Sequence, residues 1–170
     1  SHTSPETMND VLDIAEAPVI YSHASARALH DHPRNVPDQV LSRLPENGGV
    51  VMVTFVPSFL TSREQATIAD VADHIEHVVS IAGVDFVGIG SDFDGIESTP
   101  VGLEDVSTFP ALLAELSRRG WSEQAMRKVV GENLLRAWRE AEAAARRLQR
   151  ERPPSTRTIG ELDRTIGQDR

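Results

Sequence analysis

The 170-residue sequence contains no cysteine, which excludes disulfides and every thiolate-based metal or catalytic site. Any transition metal must therefore be held by His, Asp or Glu, the harder ligands. Basic residues are in deficit: 17 Lys and Arg stand against 26 Asp and Glu, giving a net charge of −9. That balance gives no footing to a nucleic-acid partner, because such proteins carry basic patches that neutralise phosphates. No apolar run approaches the roughly 20 residues that span a bilayer, and no hydrophobic anchor segment stands near the C-terminal end. The expectation is a cytoplasmic protein with no membrane partner. An initiator Met is missing too, and no charged-then-apolar leader follows Ser1-His2-Thr3, so the chain reads as starting inside a longer one.

What is present is ordinary for a globular protein: 39% hydrophobic and 25% charged residues, enough to bury a core at this length. Ser4-Pro5-Glu6 predicts a helix start, with a Ser N-cap, Pro at the first helical position and an acid in the first turn. Met8, Val11, Leu12 and Ala15 give that helix its apolar stripe. Pro18 to Ser22 is a short β-rich run closed by His23, and Val36-Pro37-Asp38 opens a second helix reaching Leu44. Val50 to Phe55 is a continuous apolar run of strand length, suited to a strand buried on both faces. Ile68, Val71, Ala72, Ile75, Val78 and Val79 mark a third helix, and Phe86 to Gly90 a third strand. The segments 107–119 and 122–148 read as helices.

Strands alternating with helices predict parallel βαβ units in an α/β fold. The strands recur at intervals of roughly 30 residues, the length of such a unit. A closed (β/α)8 barrel needs about 250 residues, so half a barrel fits the count. Residues 1–142 form the expected barrel segment; 143–170 read as a helix end and a polar, mobile tail.

In parallel α/β folds chemistry collects at the carboxyl ends of strands. His23 closes the first strand, and Asp92 and Asp94 follow the third. His2 stands just before a helix start, where a preceding strand would end. Two such histidines can converge on one metal ion, and Asp92 is placed to move a proton. Arg34 offers a bidentate anchor for a carboxylate. Each has a plainer reading as well: loop residues satisfied by local hydrogen bonds, an Asp and Gly turn, or a solvated charge. His74 and His77 share a helix with Asp73 and Glu76, and there a solvated helix face is the expectation.

Taken together, Ala17-Pro18-Val19-Ile20-Tyr21-Ser22-His23-Ala24-Ser25-Ala26-Arg27, then Arg34-Asn35-Val36-Pro37-Asp38, then Gly88-Ile89-Gly90-Ser91-Asp92-Phe93-Asp94-Gly95 closely resemble the membrane dipeptidase family, metallopeptidase family M19. The opening Ser-His-Thr-Ser and Gly131 to Arg136 fit in the same order, so the resemblance covers residues 1–142. It implies the C-terminal half of a (β/α)8 TIM barrel and a zinc-dependent dipeptidase with two zinc ions. His2 and His23 then match metal ligands, Arg34 a substrate-binding arginine, and Asp92 a catalytic acid near the scissile bond. The family's remaining ligands, a His-x-Asp pair and a bridging glutamate, are absent from this sequence. His30-Asp31-His32 lies after the wrong strand to supply them. The chain alone is therefore expected to be inactive and, with half a barrel core uncovered, to associate into homo-oligomers. Two alternatives stand beside the dipeptidase: a non-catalytic half-barrel, and a related metal-dependent hydrolase of a non-peptide substrate such as a lactone.

Overall fold

The computed structural model describes residues 1–161. Helix α1, Pro5–Ile14, starts as its sequence dictates: the Ser4 hydroxyl accepts from the Thr7 N–H, and Pro5 occupies the first turn. Three strands follow, β1 Ile20–Ala24, β2 Val50–Val53 and β3 Val87–Ile89, paired in parallel in the order β1-β2-β3. The connections are helical, as parallel pairing requires. Short helices α2, Asp38–Leu41, and α3, Leu44–Asn47, join β1 to β2. The single helix expected to reach Leu44 is thus broken at Ser42 and Arg43. Between β2 and β3 come α4, Pro57–Leu60, and the long α5, Ile68–Ala82. A reciprocal capping box opens α5, with Thr67 N–H and hydroxyl both donating to the Asp70 carboxylate at 2.8 and 2.9 Å. Gly83 closes it.

The core lies on one face of the sheet. Tyr21, Ala24, Val51, Val53 and Val87 pack there with Val71, Ala72, Ile75 and Val78 of α5, and with Val40 and Leu41 of α2. Each such side chain, fully removed from water, contributes about 1.5–3 kcal/mol. The opposite face is covered only in part: Ser22 is exposed, and Ile20 and Met52 are half-buried.

After β3 the chain forms α6, Phe109–Arg118, and α7, Glu123–Arg127, the latter capped by the Ser122 hydroxyl. Arg119 locks α6 to α5, donating to Glu115, Asp73 and Glu76 at 2.6, 2.6 and 2.7 Å. The expected helix over 122–148 is interrupted: Lys128–Glu132 is a wider π-type turn, with Gly131 leaving helical dihedrals, before α8, Asn133–Glu151, resumes. That turn delivers Asn133, whose amide donates to the carbonyls of Val84 and Val87 at 2.7 and 2.8 Å. Arg136 donates to Gly48 and Asp85 carbonyls, so α8 closes the amino ends of β2 and β3. The carboxyl ends are left open. Helix α8 runs to Glu151, and residues 152–161 are exposed. The part of the expected tail from 162 onward lies outside the described residues.

Candidate active site

The open end of the sheet carries the residues singled out in the sequence. His23 owes its position to an irregularity in β1: Tyr21 pairs with Val51, but Ala24, not His23, pairs with Val53. Ser22 and His23 together oppose one partner residue, which is a β-bulge, a device that re-aims side chains. Tyr21 and Ala24 both enter the core, while His23 turns to meet His2. The bulge also brings the Ser22 carbonyl close to Gly90 at the end of β3. A Cβ there would lie 2.1 Å from that oxygen and 2.9 Å from the Met52 carbonyl, so only glycine fits this crossing.

His2 is held beside β1 by its neighbour. The Ser1 hydroxyl donates to the His23 carbonyl at 2.8 Å and accepts from the His23 N–H at 3.0 Å. The two imidazoles then face each other, Nε2 to Nε2 at 3.0 Å, with ring planes inclined by 72°. Two imidazole nitrogens on one tetrahedral zinc, each about 2.0–2.1 Å from it, stand about 3.3–3.4 Å apart. The pair therefore fits a shared ion after a small opening. His23 Nδ1 is hydrogen-bonded to the Ser22 hydroxyl at 2.9 Å, the outer contact that fixes ring orientation in metal-ligating histidines. Burial pushes the His23 imidazole below its ordinary range, opposed by the Asp92 carboxylate and reinforced by His2 and Arg34. A depressed value favours the neutral ring, which is the ligating form. Among the described residues no group of three or more His, Asp or Glu side chains could hold a metal ion, and two imidazoles alone would fill at most half of a tetrahedral shell.

Asp92 lies just past the end of β3 at Ile89 and acts on His23 electrostatically. It adopts a left-handed conformation, φ 68° and ψ 29°, and His2 has a φ of 61°. These are the two non-glycine residues with positive φ among those described. Such a conformation costs an L-residue about 1–2 kcal/mol, and both instances flank the same spot.

Arg34 comes from the loop after β1. Its guanidinium lies over the Phe59 ring, 5.2 Å from the centroid, and its Nε is buried without a hydrogen-bond partner. His32 stacks on the same ring at 4.1 Å. Buried Asn35 ties the loop down, donating to the carbonyls of His30 and Phe59 at 3.0 and 2.7 Å. Arg34 also lowers the His23 value, so its charge reaches the histidine pair. The structure thus brings His2, His23, Asp92 and Arg34 to one end of the sheet.

His74 is a correction. It is 1% exposed rather than on a solvated face. Its Nδ1 accepts from the Ala26 N–H at 3.0 Å and its Nε2 donates to the Leu60 carbonyl at 3.0 Å. It braces the loop that carries Arg34 against α4, and burial pushes its value down. His77 is half-buried and pairs with Asp38 at 2.8 Å. The signal was in the sequence: His74 lies between Val71 and Val78 on the apolar stripe of α5.

Comparison with known proteins bears on this arrangement. The family model for membrane dipeptidase, peptidase family M19, matches residues 1–152. An uncharacterized dipeptidase of Schizosaccharomyces pombe is 49% identical over 144 residues, covering 84% of this chain and 35% of its own. A metallopeptidase of Rhodobacter sphaeroides, solved with a phosphinate mimic of the dipeptide L-Ala-D-Ala, is 33% identical with a TM-score of 0.78, covering 83% of this chain and 41% of that one. An amidohydrolase of Pseudomonas aeruginosa is 34% identical with a TM-score of 0.75, covering 83% and 51%. The chain therefore spans about half or less of the length of these relatives.

Proposed function

The chain belongs to the membrane dipeptidase family, peptidase family M19, and on that premise we propose that it carries the C-terminal half of a (β/α)8 barrel and part of the site of a zinc-dependent dipeptidase. The parallel three-stranded sheet, with one face packed by helices and the other half-covered, supports the barrel; the second face is its interior. The observation that carries the activity is the meeting of His2 and His23 at 3.0 Å beside Asp92 and Arg34, where a parallel fold places its chemistry.

In this reading His2 and His23 would hold one of two zinc ions, and residues outside this chain would complete the centre. Zinc would supply Lewis acidity toward the peptide carbonyl and an acidified water. The Ser22 hydroxyl at His23 Nδ1 would leave the Nε2 lone pair free for a metal. Asp92 takes a proton and returns it to the departing amine nitrogen, a task for a carboxylate within hydrogen-bond reach of both. Arg34, stacked and unpaired, takes a carboxylate of a short substrate; clamping a terminus excludes long peptides. The dipeptide mimic bound to the Rhodobacter sphaeroides relative supports this substrate class.

A second reading, hydrolysis of a non-peptide amide, draws on the Pseudomonas aeruginosa relative described as an amidohydrolase. Parallel assays of a dipeptide, a non-peptide amide and a lactone on the full-length, zinc-loaded protein separate the readings. The same protein tests the mechanism: Asp92→Asn should lower kcat by about 10²–10⁴-fold with zinc retained. Unchanged turnover would remove Asp92 from the mechanism.

A further inference from the structure

We propose that Gly95 is a positioning residue for Asp92, its missing side chain being the seat of the catalytic carboxylate. The turn Phe93–Gly95 follows Asp92, and the Gly95 N–H donates to the Asp92 carbonyl at 2.9 Å. The Asp92 side chain folds back over this turn. A Cβ on Gly95 would lie 2.7 Å from its Oδ1, 3.1 Å from Cγ and 3.2 Å from Oδ2. A methyl there would clash with the Asp92 Oδ1 and press on its Cγ and Oδ2, so it would force the carboxylate to move. The backbone gives no other reason for glycine here, because Gly95 is not among the positive-φ glycines. Alanine could adopt the turn itself. What it would displace is the tip of a rotatable side chain, so the expected effect is a moved carboxylate in a folded protein.

The inference rests on Asp92 being the proton carrier. Displacing a catalytic group by about 1 Å costs on the order of 10²-fold in rate. In the full-length, zinc-loaded protein, Gly95→Ala should therefore lower kcat by about 10- to 100-fold and leave KM and zinc content near wild type. In an Asp92→Asn background the same change should alter the residual rate by less than about threefold, because the two positions act as one unit. A crystal structure of Gly95→Ala should show the Asp92 carboxylate rotated out of its seat. Either wild-type kcat for Gly95→Ala, or an equal fold-loss in both backgrounds, overturns the proposal, the second by making the effect merely structural. Wild-type kcat for Asp92→Asn alone is a separate outcome that refutes the role of Asp92 itself.

Discussion

Replacing His74 by Leu removes the imidazole that bridges α5 to two other parts of the chain and keeps a side chain of similar bulk. The cavity contribution is therefore small, and the cost comes from polar groups left behind. The Ala26 N–H loses its acceptor and the Leu60 carbonyl loses its donor; Ala26 is fully buried and Leu60 is 4% exposed. A buried polar group deprived of its partner costs about 1–3 kcal/mol, so the pair costs about 2–6 kcal/mol. That is a large share of the roughly 5–15 kcal/mol that holds a domain together. With a urea slope of about 2 kcal/mol/M, the unfolding midpoint of the full-length protein should drop by about 1–3 M. His74→Gln offers both a donor and an acceptor and should recover part of the loss. A fall below about 0.5 kcal/mol for His74→Leu, the usual range of a surface substitution, would refute the bridging role.

Four more outcomes follow from the same geometry. His74 and His32 are pushed by burial below the ordinary value of 6.5, so as pH falls through 6.5 the unfolded chain takes up protons that the folded chain refuses. Stability is then complete above that pH and declines toward the depressed folded values; urea midpoints at pH 7.5 and 5.5 should differ less in His74→Leu than in wild type, and an equal difference contradicts this. Phe59→Leu removes the ring beneath Arg34 and should raise KM about fivefold for a contact of about 1 kcal/mol, with kcat little changed and affinity restored by Phe59→Tyr. His23→Asn should lower zinc by about one equivalent in the full-length protein, and undiminished zinc would exclude it as a ligand. Asp92→Asn should retain zinc while losing turnover, as metal analysis and initial rates on one preparation will report.

The layout of the fold was legible because its signals are local. Val50 to Val53 and Val87 to Ile89 form strands where unbroken apolar runs predict them, and Ser4-Pro5-Glu6 caps α1 as written. The helix over 122–148 was only half legible. Periodicity continues through Lys128–Glu132, but the wide turn there serves Asn133, whose partners are the distant Val84 and Val87 carbonyls. The candidate residues could be picked out by their place at strand ends, yet two features that aim them could not. The register slip in β1 exists only in the pairing with β2, and the seat of Asp92 only in the fold of its own turn. His74 misled for another reason: a charged neighbourhood of Asp73 and Glu76 masked an inward position, and its hydrogen-bond partners are the distant Ala26 and Leu60.

The slip in β1 means that part of the site is written in the length of the strand. In an unbroken ladder residue 23 would pair with Val53 and enter the helix-packed layer; here Ala24 takes that place. Deleting Ser22 would restore regular pairing, with His23 opposite Met52 and Ala24 still opposite Val53, and would remove the hydroxyl that meets His23 Nδ1. A chain so shortened keeps its core composition and loses the contact that orients a candidate ligand. Comparisons that score residue identity alone would pass over such a change. For β1 the informative quantity is the count of residues between Tyr21 and Ala24, as much as what those residues are.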